Sequence, residues 1–199
     1  SLLRKTFDII NILKINYDIE DFIFVNDTSL LKIRYLYKSN NVFFLRQNSF
    51  IKDLNYIANQ FINESIVYIP IEEKTTISFY NYLNNYKNNN FKYCLPPFSI
   101  FELSRNKDVL NVFCEKNNIS CPKYYSEEQI KKRAFKAPII LKPKIGSGSN
   151  GIRFIHDKNS LNVSEVNFKN YFIQELLDNP KDVEAGFFLC KKGEVISYY

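Results

Sequence analysis

The stretch Pro138-Ile-Ile-Leu-Lys-Pro-Lys-Ile-Gly-Ser-Gly-Ser-Asn-Gly151 carries the most information about how this chain folds and what it can bind. Ile139-Ile-Leu-Lys142 has the composition of a buried strand. It runs into a loop that holds three of the chain's 5 glycines, with serines between them. Such a loop lets consecutive backbone N–H groups turn into one concavity and receive phosphate oxygens. A lysine at the strand's end adds a cation at the same place. The same composition also suits a plain hairpin connection. Two standard phosphate loops are excluded, because the stretch has neither G-x-x-x-x-G-K-[ST] nor a G-x-G-x-x-G that opens a helix.

Upstream of this stretch, helical and β-rich runs alternate. Leu3, Phe7, Ile10 and Leu13 recur at helical spacing over 2–15, and Phe22-Ile-Phe-Val25 follows as a short strand. Ile51, Leu54, Ile57, Ala58 and Phe61 form a second helical stripe, followed by Ser65-Ile-Val-Tyr-Ile-Pro70. A third pairing takes Ile77, Phe79, Tyr80 and Leu83, within Thr75–Tyr86, into Phe91-Lys-Tyr-Cys-Leu95. Alternation of this kind predicts a parallel α/β layer. The first element is a helix, so such a layer lacks its opening strand. Asn84–Asn90 reads as a solvated turn, and Pro96-Pro97 ends the strand and places a domain junction near Phe98.

Beyond the junction, Ser104 is a candidate N-cap for a helix whose buried stripe would be Val109, Leu110, Val112 and Phe113. Ser126-Glu-Glu-Gln129 has capping-box spacing and opens a basic helix with Lys131, Lys132, Arg133 and Lys136, which reads as a solvated face. The β runs after Pro138 are Ile139–Lys142, Ile152–Ile155, Tyr171–Glu175, Val183–Cys190 and Glu194–Tyr198, with Lys192-Gly193 as a hairpin turn. This half reads as α+β and largely antiparallel.

Composition bounds the function classes. The chain has 199 residues, 45% hydrophobic and 16% aromatic, enough for one large core or two small ones. No apolar run approaches the roughly 20 residues that span a bilayer, and no signal-peptide start is present. The reading is a cytoplasmic protein with no membrane partner. The net charge of +6 lies mostly in the second half. Asn, Ile, Lys, Tyr and Phe are the residues of A/T-rich codons, so that charge argues little for a nucleic-acid partner. Cys94, Cys114, Cys121 and Cys190 form no C-x-x-C, and the single His156 completes no zinc set, so the cysteines read as reduced, mostly buried thiols. With no Met, the chain is expected to begin inside a longer gene product.

The order of features from Phe98 to Tyr199 resembles the ATP-grasp superfamily, in its carbamoyl-phosphate synthase large-subunit-like and D-alanine–D-alanine ligase-like branch. Ser104-Arg-Asn-Lys-Asp108 looks like the start of that family's lysine-bearing helix, and Asn118-Ile-Ser-Cys-Pro122 stands where its turn before a proline falls. Ile140-Leu-Lys-Pro143 resembles its central strand, with Gly146–Gly151 as the flexible loop. Phe172-Ile-Gln-Glu-Leu-Leu177 resembles its linker strand, and Asp182-Val-Glu-Ala-Gly-Phe-Phe188 its next acidic strand. Val67-Tyr-Ile-Pro70 looks, more loosely, like a strand end of the smaller preceding domain. The resemblance implies an α/β pre-ATP-grasp domain over 1–97, a parallel sheet without its first strand. An α+β N-terminal half of an ATP-grasp domain would follow over 98–199.

It also implies an ATP site. Lys107 and Lys142 would be the two cations at the nucleotide, and Gly146, Ser147, Gly148, Ser149 and Gly151 the loop closing over its phosphates. Glu175 would sit near the adenine amino group, with the backbone of Leu176 and Leu177 along the adenine edge. Asp182 would accept from the ribose hydroxyls; because the family usually has Glu there, Glu184 on the same strand face is an equal candidate. The family's Mg²⁺ ligands and its phosphoryl-transferring arginine are expected beyond Tyr199, so no catalytic or metal residue is assigned. The carboxylates Glu127 and Glu128 are explained by helix capping and the helix dipole. The function implied is the ATP-binding portion of a carboxylate–amine ligase acting on a small-molecule carboxylate through an acyl phosphate, inactive as a fragment. A non-catalytic nucleotide-binding or interaction module of the same fold is the alternative.

Overall fold

A computed structural model describes residues 4–17, 22–25, 42–45, 49–86, 90–146, 148–177 and 186–198. The chain divides into two compact units, Ser1–Pro96 and Pro97–Tyr199. The α/β alternation of the first unit and the antiparallel character of the second both appear.

In the first unit, α1 (Arg4–Tyr17) precedes β1 (Phe22–Val25), which pairs in parallel with β2 (Val42–Leu45) from Phe22↔Val42 to Val25↔Leu45. Helix α2 (Phe50–Gln60) leads to β3 (Ile66–Tyr68), and α3 (Glu73–Asn85) crosses over to β4 (Phe91–Tyr93), again parallel to β3. Parallel neighbours need a crossover of this kind, and an amphipathic helix covers one face of the pair. The core is Leu54 and Ile57 of α2, Phe79 and Tyr82 of α3, and Phe91 of β4. Tyr68 stacks on Phe79 at 3.8 Å, and Phe91 meets the same ring edge-on at 5.7 Å. In α3 the fully buried positions are Thr76, Phe79, Tyr80 and Tyr82, whereas Ile77 and Leu83 are half-buried, a rotation of the expected stripe. The Tyr80 hydroxyl donates to Pro96 O at 2.6 Å, tying the helix to the proline pair.

In the second unit, α4 (Phe98–Arg105) and α5 (Lys107–Lys116) are separated by the extended residue Asn106. Asn106, not Ser104, is the cap: its side chain accepts from Asp108 N, while the Ser104 hydroxyl donates back to Phe101 O. The expected apolar stripe is also corrected. Val109, Val112 and Phe113 are exposed, and the fully buried residue of α5 is Asn111. Ser126 and Gln129 make the full capping box of α6, but that helix is only Glu127–Lys131. Arg133 lies beyond it with φ 52° and donates to the carbonyls of Lys158 and Leu161.

The sheet has the order β6 (Arg153–Ile155), β5 (Ile139–Pro143), β7 (Tyr171–Glu175), all antiparallel. Tyr124 bridges Gln174 on the outer side of β7. Ile139 and Leu141 of β5, Ile173 of β7 and Ile155 of β6 face one way, into a core closed by Tyr125, Ile130, Phe135, Leu161 and Val166. A hairpin of β8 (Phe188–Lys191) and β9 (Glu194–Tyr198) turns at Lys192-Gly193. Among the described residues no helix is long and apolar enough to cross a membrane. All four cysteines are free thiols, but Cys94 and Cys190 are exposed and Cys114 and Cys121 half-buried, so the expectation of mostly buried thiols is corrected.

Candidate functional site

Strand β5 sets the site by alternation. Ile139 and Leu141 point into the core, so Ile140 and Lys142 point to the other face. On that face Lys142 lies opposite Phe172, a buried ring stacked on Tyr124 at 5.1 Å. Lys142 is thus half-buried against an apolar, aromatic surface.

The first residue of α5 comes to the same place. Lys107 N–H donates to Lys144 O at 2.9 Å, and Lys107 Nζ donates to Gly146 O at 3.0 Å. Asp108 forms an ion pair with Lys144, whose own N–H donates to Asn170 O at 2.8 Å. The helix start is therefore pinned to the segment that leaves β5. Burial, and after it the charge of Lys107, hold the Lys142 ammonium below the usual lysine range. Among the described residues Lys142 has no carboxylate partner, and Lys107 touches only a carbonyl. Two half-buried cations stand together, and Asp108, the carboxylate next to Lys107, is engaged by Lys144.

The glycine loop completes this end of the sheet. Gly146, Gly148, Ser149 and Gly151 all have positive φ. Gly151 is required twice over: its φ is +75°, and an added Cβ would lie 3.0 Å from Pro143 Cγ. Gly148, at φ +68°, has nothing within 4 Å of an added Cβ, so it faces open space. Gly146 supplies the carbonyl that holds Lys107, and Ser149 is exposed.

Other predicted residues sit elsewhere. Glu175 pairs with Ile139 and so takes the core-facing side of β7, opposite to Lys142. Its carboxylate accepts from Lys123 N at 2.7 Å and its N–H donates to Lys123 O at 2.8 Å, which straps the 123–125 segment to the strand. Leu176 N–H is taken by Pro138 O at 3.1 Å, and Leu177 is exposed. Ser147, Asp182 and Glu184 lie outside the described residues. The structure brings together Lys107, Lys142 and Gly146; it does not bring Glu175 to them. Sequence reasoning missed Asn106, Asp108 and Lys144. Asn106 was open to discovery, since Asn two residues before an acid is an N-cap signature. Among the described residues no group of three or more His, Cys, Asp or Glu side chains converges as a metal site.

Compared with known proteins, the chain matches no protein-family model and no curated protein sequence. Its structure is similar to the biotin carboxylase domain of the 2-oxoglutarate carboxylase of Hydrogenobacter thermophilus, solved with MgADP, ADP and bicarbonate. The TM-score is 0.52 at 14% sequence identity, over 79% of this chain. At that identity the likeness is one of fold alone. The match spans 39% of the length of that domain's chain.

Proposed function

We propose that this chain is the ATP-binding portion of an ATP-dependent carboxylate–amine ligase. The observation that carries the reading is the Lys107–Lys142 pair at the mouth of the glycine loop. Half-buried like charges repel and lose hydration, so the arrangement favours an anion with several oxygens over none. A triphosphate offers such oxygens to two ammonium groups and to loop N–H groups, as charge-assisted hydrogen bonds. The apolar face of Ile140 and Phe172 beside Lys142 suits a purine.

In this role Lys142 lies against the phosphates and the base, Lys107 reaches the outer phosphates, and Ser147, Gly148 and Ser149 fold over them. The backbone of Leu176 and Leu177 reads the adenine edge; with the Leu176 N–H already bonded, its carbonyl and the Leu177 backbone are the groups left to do so. Asp182 or Glu184 accepts from the ribose. Glu175, expected near the adenine amino group, holds the 123–125 segment to β7 and would meet the base from that strand's end.

The reaction class is acyl activation. A carboxylate oxygen of a small-molecule substrate attacks the γ-phosphorus, ADP leaves, and an amine or ammonia then displaces phosphate from the acyl phosphate. Fixed cations contribute by stabilising charge on the transferring group. Magnesium would arrive with the nucleotide, and its protein ligands are unassigned. Within the ATP-grasp fold we favour the carbamoyl-phosphate synthase-like branch, on the order of the motifs, in a protein of the cytoplasm. Hydroxylamine trapping on the full-length protein, with a panel of carboxylates, tests the reading. Hydroxamate and ADP should form together; ATP binding without either would leave a nucleotide-binding module.

A further inference from the structure

Lysine pairs do not stay together unaided. Each side chain is flexible, and repulsion drives both ammonium groups towards water. Lys142 is fixed by its strand, so the question is what holds Lys107. Its own contact, Nζ to Gly146 O, is a single bond to an exposed loop. The rest of the restraint lies one residue on.

We infer that Asp108 and Lys144 are positioning residues, whose ion pair clamps the start of α5 to the exit of β5 and so holds Lys107 beside Lys142. Three observations support it. Asp108 and Lys144 side chains are 31% and 24% exposed, against 52% and 59% for the surface pair Glu127–Lys131, so this pair is more sheltered from solvent. It is flanked on both sides by backbone bonds, Lys107 N–H to Lys144 O and Lys144 N–H to Asn170 O, which link the helix through Lys144 to the segment entering β7. Asp108 N–H is held in turn by the Asn106 cap, and its carboxylate in the first turn suits the helix dipole. The arrangement also sorts charge. The nearest carboxylate on α5 is engaged by Lys144, and Lys107 keeps its charge for a ligand.

The inference rests on the polyphosphate reading for its purpose but not for its geometry, and one experiment separates the two. The charges facing Lys142 are Lys107 from α5 and none from its β7 partner Phe172. The full 199-residue chain is labelled biosynthetically with ¹³C-lysine, and the Lys142 Cε signal, assigned with Lys142→Arg, is titrated by NMR in wild type, Asp108→Asn, Lys144→Met and Lys144→Arg. Burial, the larger cause of the lowered Lys142 midpoint, remains when Lys107 is released, so the midpoint should rise only part of the way in Asp108→Asn and Lys144→Met, and Lys144→Arg should keep it low. ATP affinity should fall about tenfold in the first two, the loss of one charge-assisted contact, with adenosine affinity unchanged. An unmoved midpoint in either variant that retains its circular dichroism spectrum overturns the inference. A moved midpoint in a protein that does not bind ATP upholds the clamp and overturns the polyphosphate reading.

Discussion

Replacing Lys142 with Met should have opposite effects on the free and the nucleotide-bound protein. Methionine keeps the length and apolar body of the side chain against Phe172 but removes the ammonium. Free protein loses a half-buried charge that Lys107 repels, so its stability should be unchanged or higher. Bound protein loses a charge-assisted phosphate contact, about 1.5–3 kcal/mol, or roughly 10- to 150-fold in affinity. Linkage converts this to a thermal shift. At ATP about 100 times the wild-type Kd, stabilisation is about 2.7 kcal/mol, which falls to about 1.4 for a tenfold weaker variant and about 0.4 for a hundredfold one. For a chain of this size, each kcal/mol moves Tm by roughly 2–4 °C. Scanning fluorimetry with and without MgATP reads both effects in one plate. A variant that melts well below wild type without ATP, or that keeps the full ATP shift, would refute the reasoning.

Further outcomes follow from the same geometry. Because the folded state depresses the Lys142 pKa, the unfolded chain binds more protons above the folded midpoint, and stability rises as pH climbs from there towards the ordinary lysine value. Urea titrations should show wild type gaining on Lys142→Met across that alkaline window. Gly151→Ala combines left-handed strain with a close approach to Pro143 and should cost more than Gly148→Ala, whose strain alone is about 1–2 kcal/mol; the same urea titrations rank them. Ser126→Ala removes half of the α6 capping box and should cost about 1 kcal/mol in chemical unfolding with ATP affinity unchanged by calorimetry. Lys131→Ala with Lys132→Ala removes two exposed ion pairs, with ATP affinity unchanged and stability altered by less than about 1 kcal/mol.

Where local pattern and tertiary burial agree, the sequence was readable. The strands Tyr171–Glu175 and Glu194–Tyr198 match their predicted bounds, as does the Ser126–Gln129 capping box. Local signals failed where burial was decided elsewhere. Helix α4 buries none of its residues and follows Pro97, so its apolar content marked no stripe. The α5 pattern gave a real helix, but periodicity tells which residues share a face and not whether that face is covered, and Val109, Val112 and Phe113 are exposed. Of the candidate site, Lys142 and the glycine loop were legible as a strand end and a turn. Their meeting with Lys107 was not, since it depends on the bond from Lys107 N–H to Lys144 O across the fold. The side of the sheet taken by Glu175 follows from register with Ile139, which a single strand's sequence does not contain.

The central claim is that Lys107 and Lys142 together hold the phosphates of ATP. Calorimetric titration of the chain with MgATP and with adenosine at fixed ionic strength, repeated on the Lys107→Met/Lys142→Met double variant, tests it most directly. Saturable ATP binding with one site, much weaker adenosine binding, and collapse of the difference in the double variant are the predicted results. Equal affinity for ATP and adenosine, or ATP binding that survives both substitutions, would contradict it.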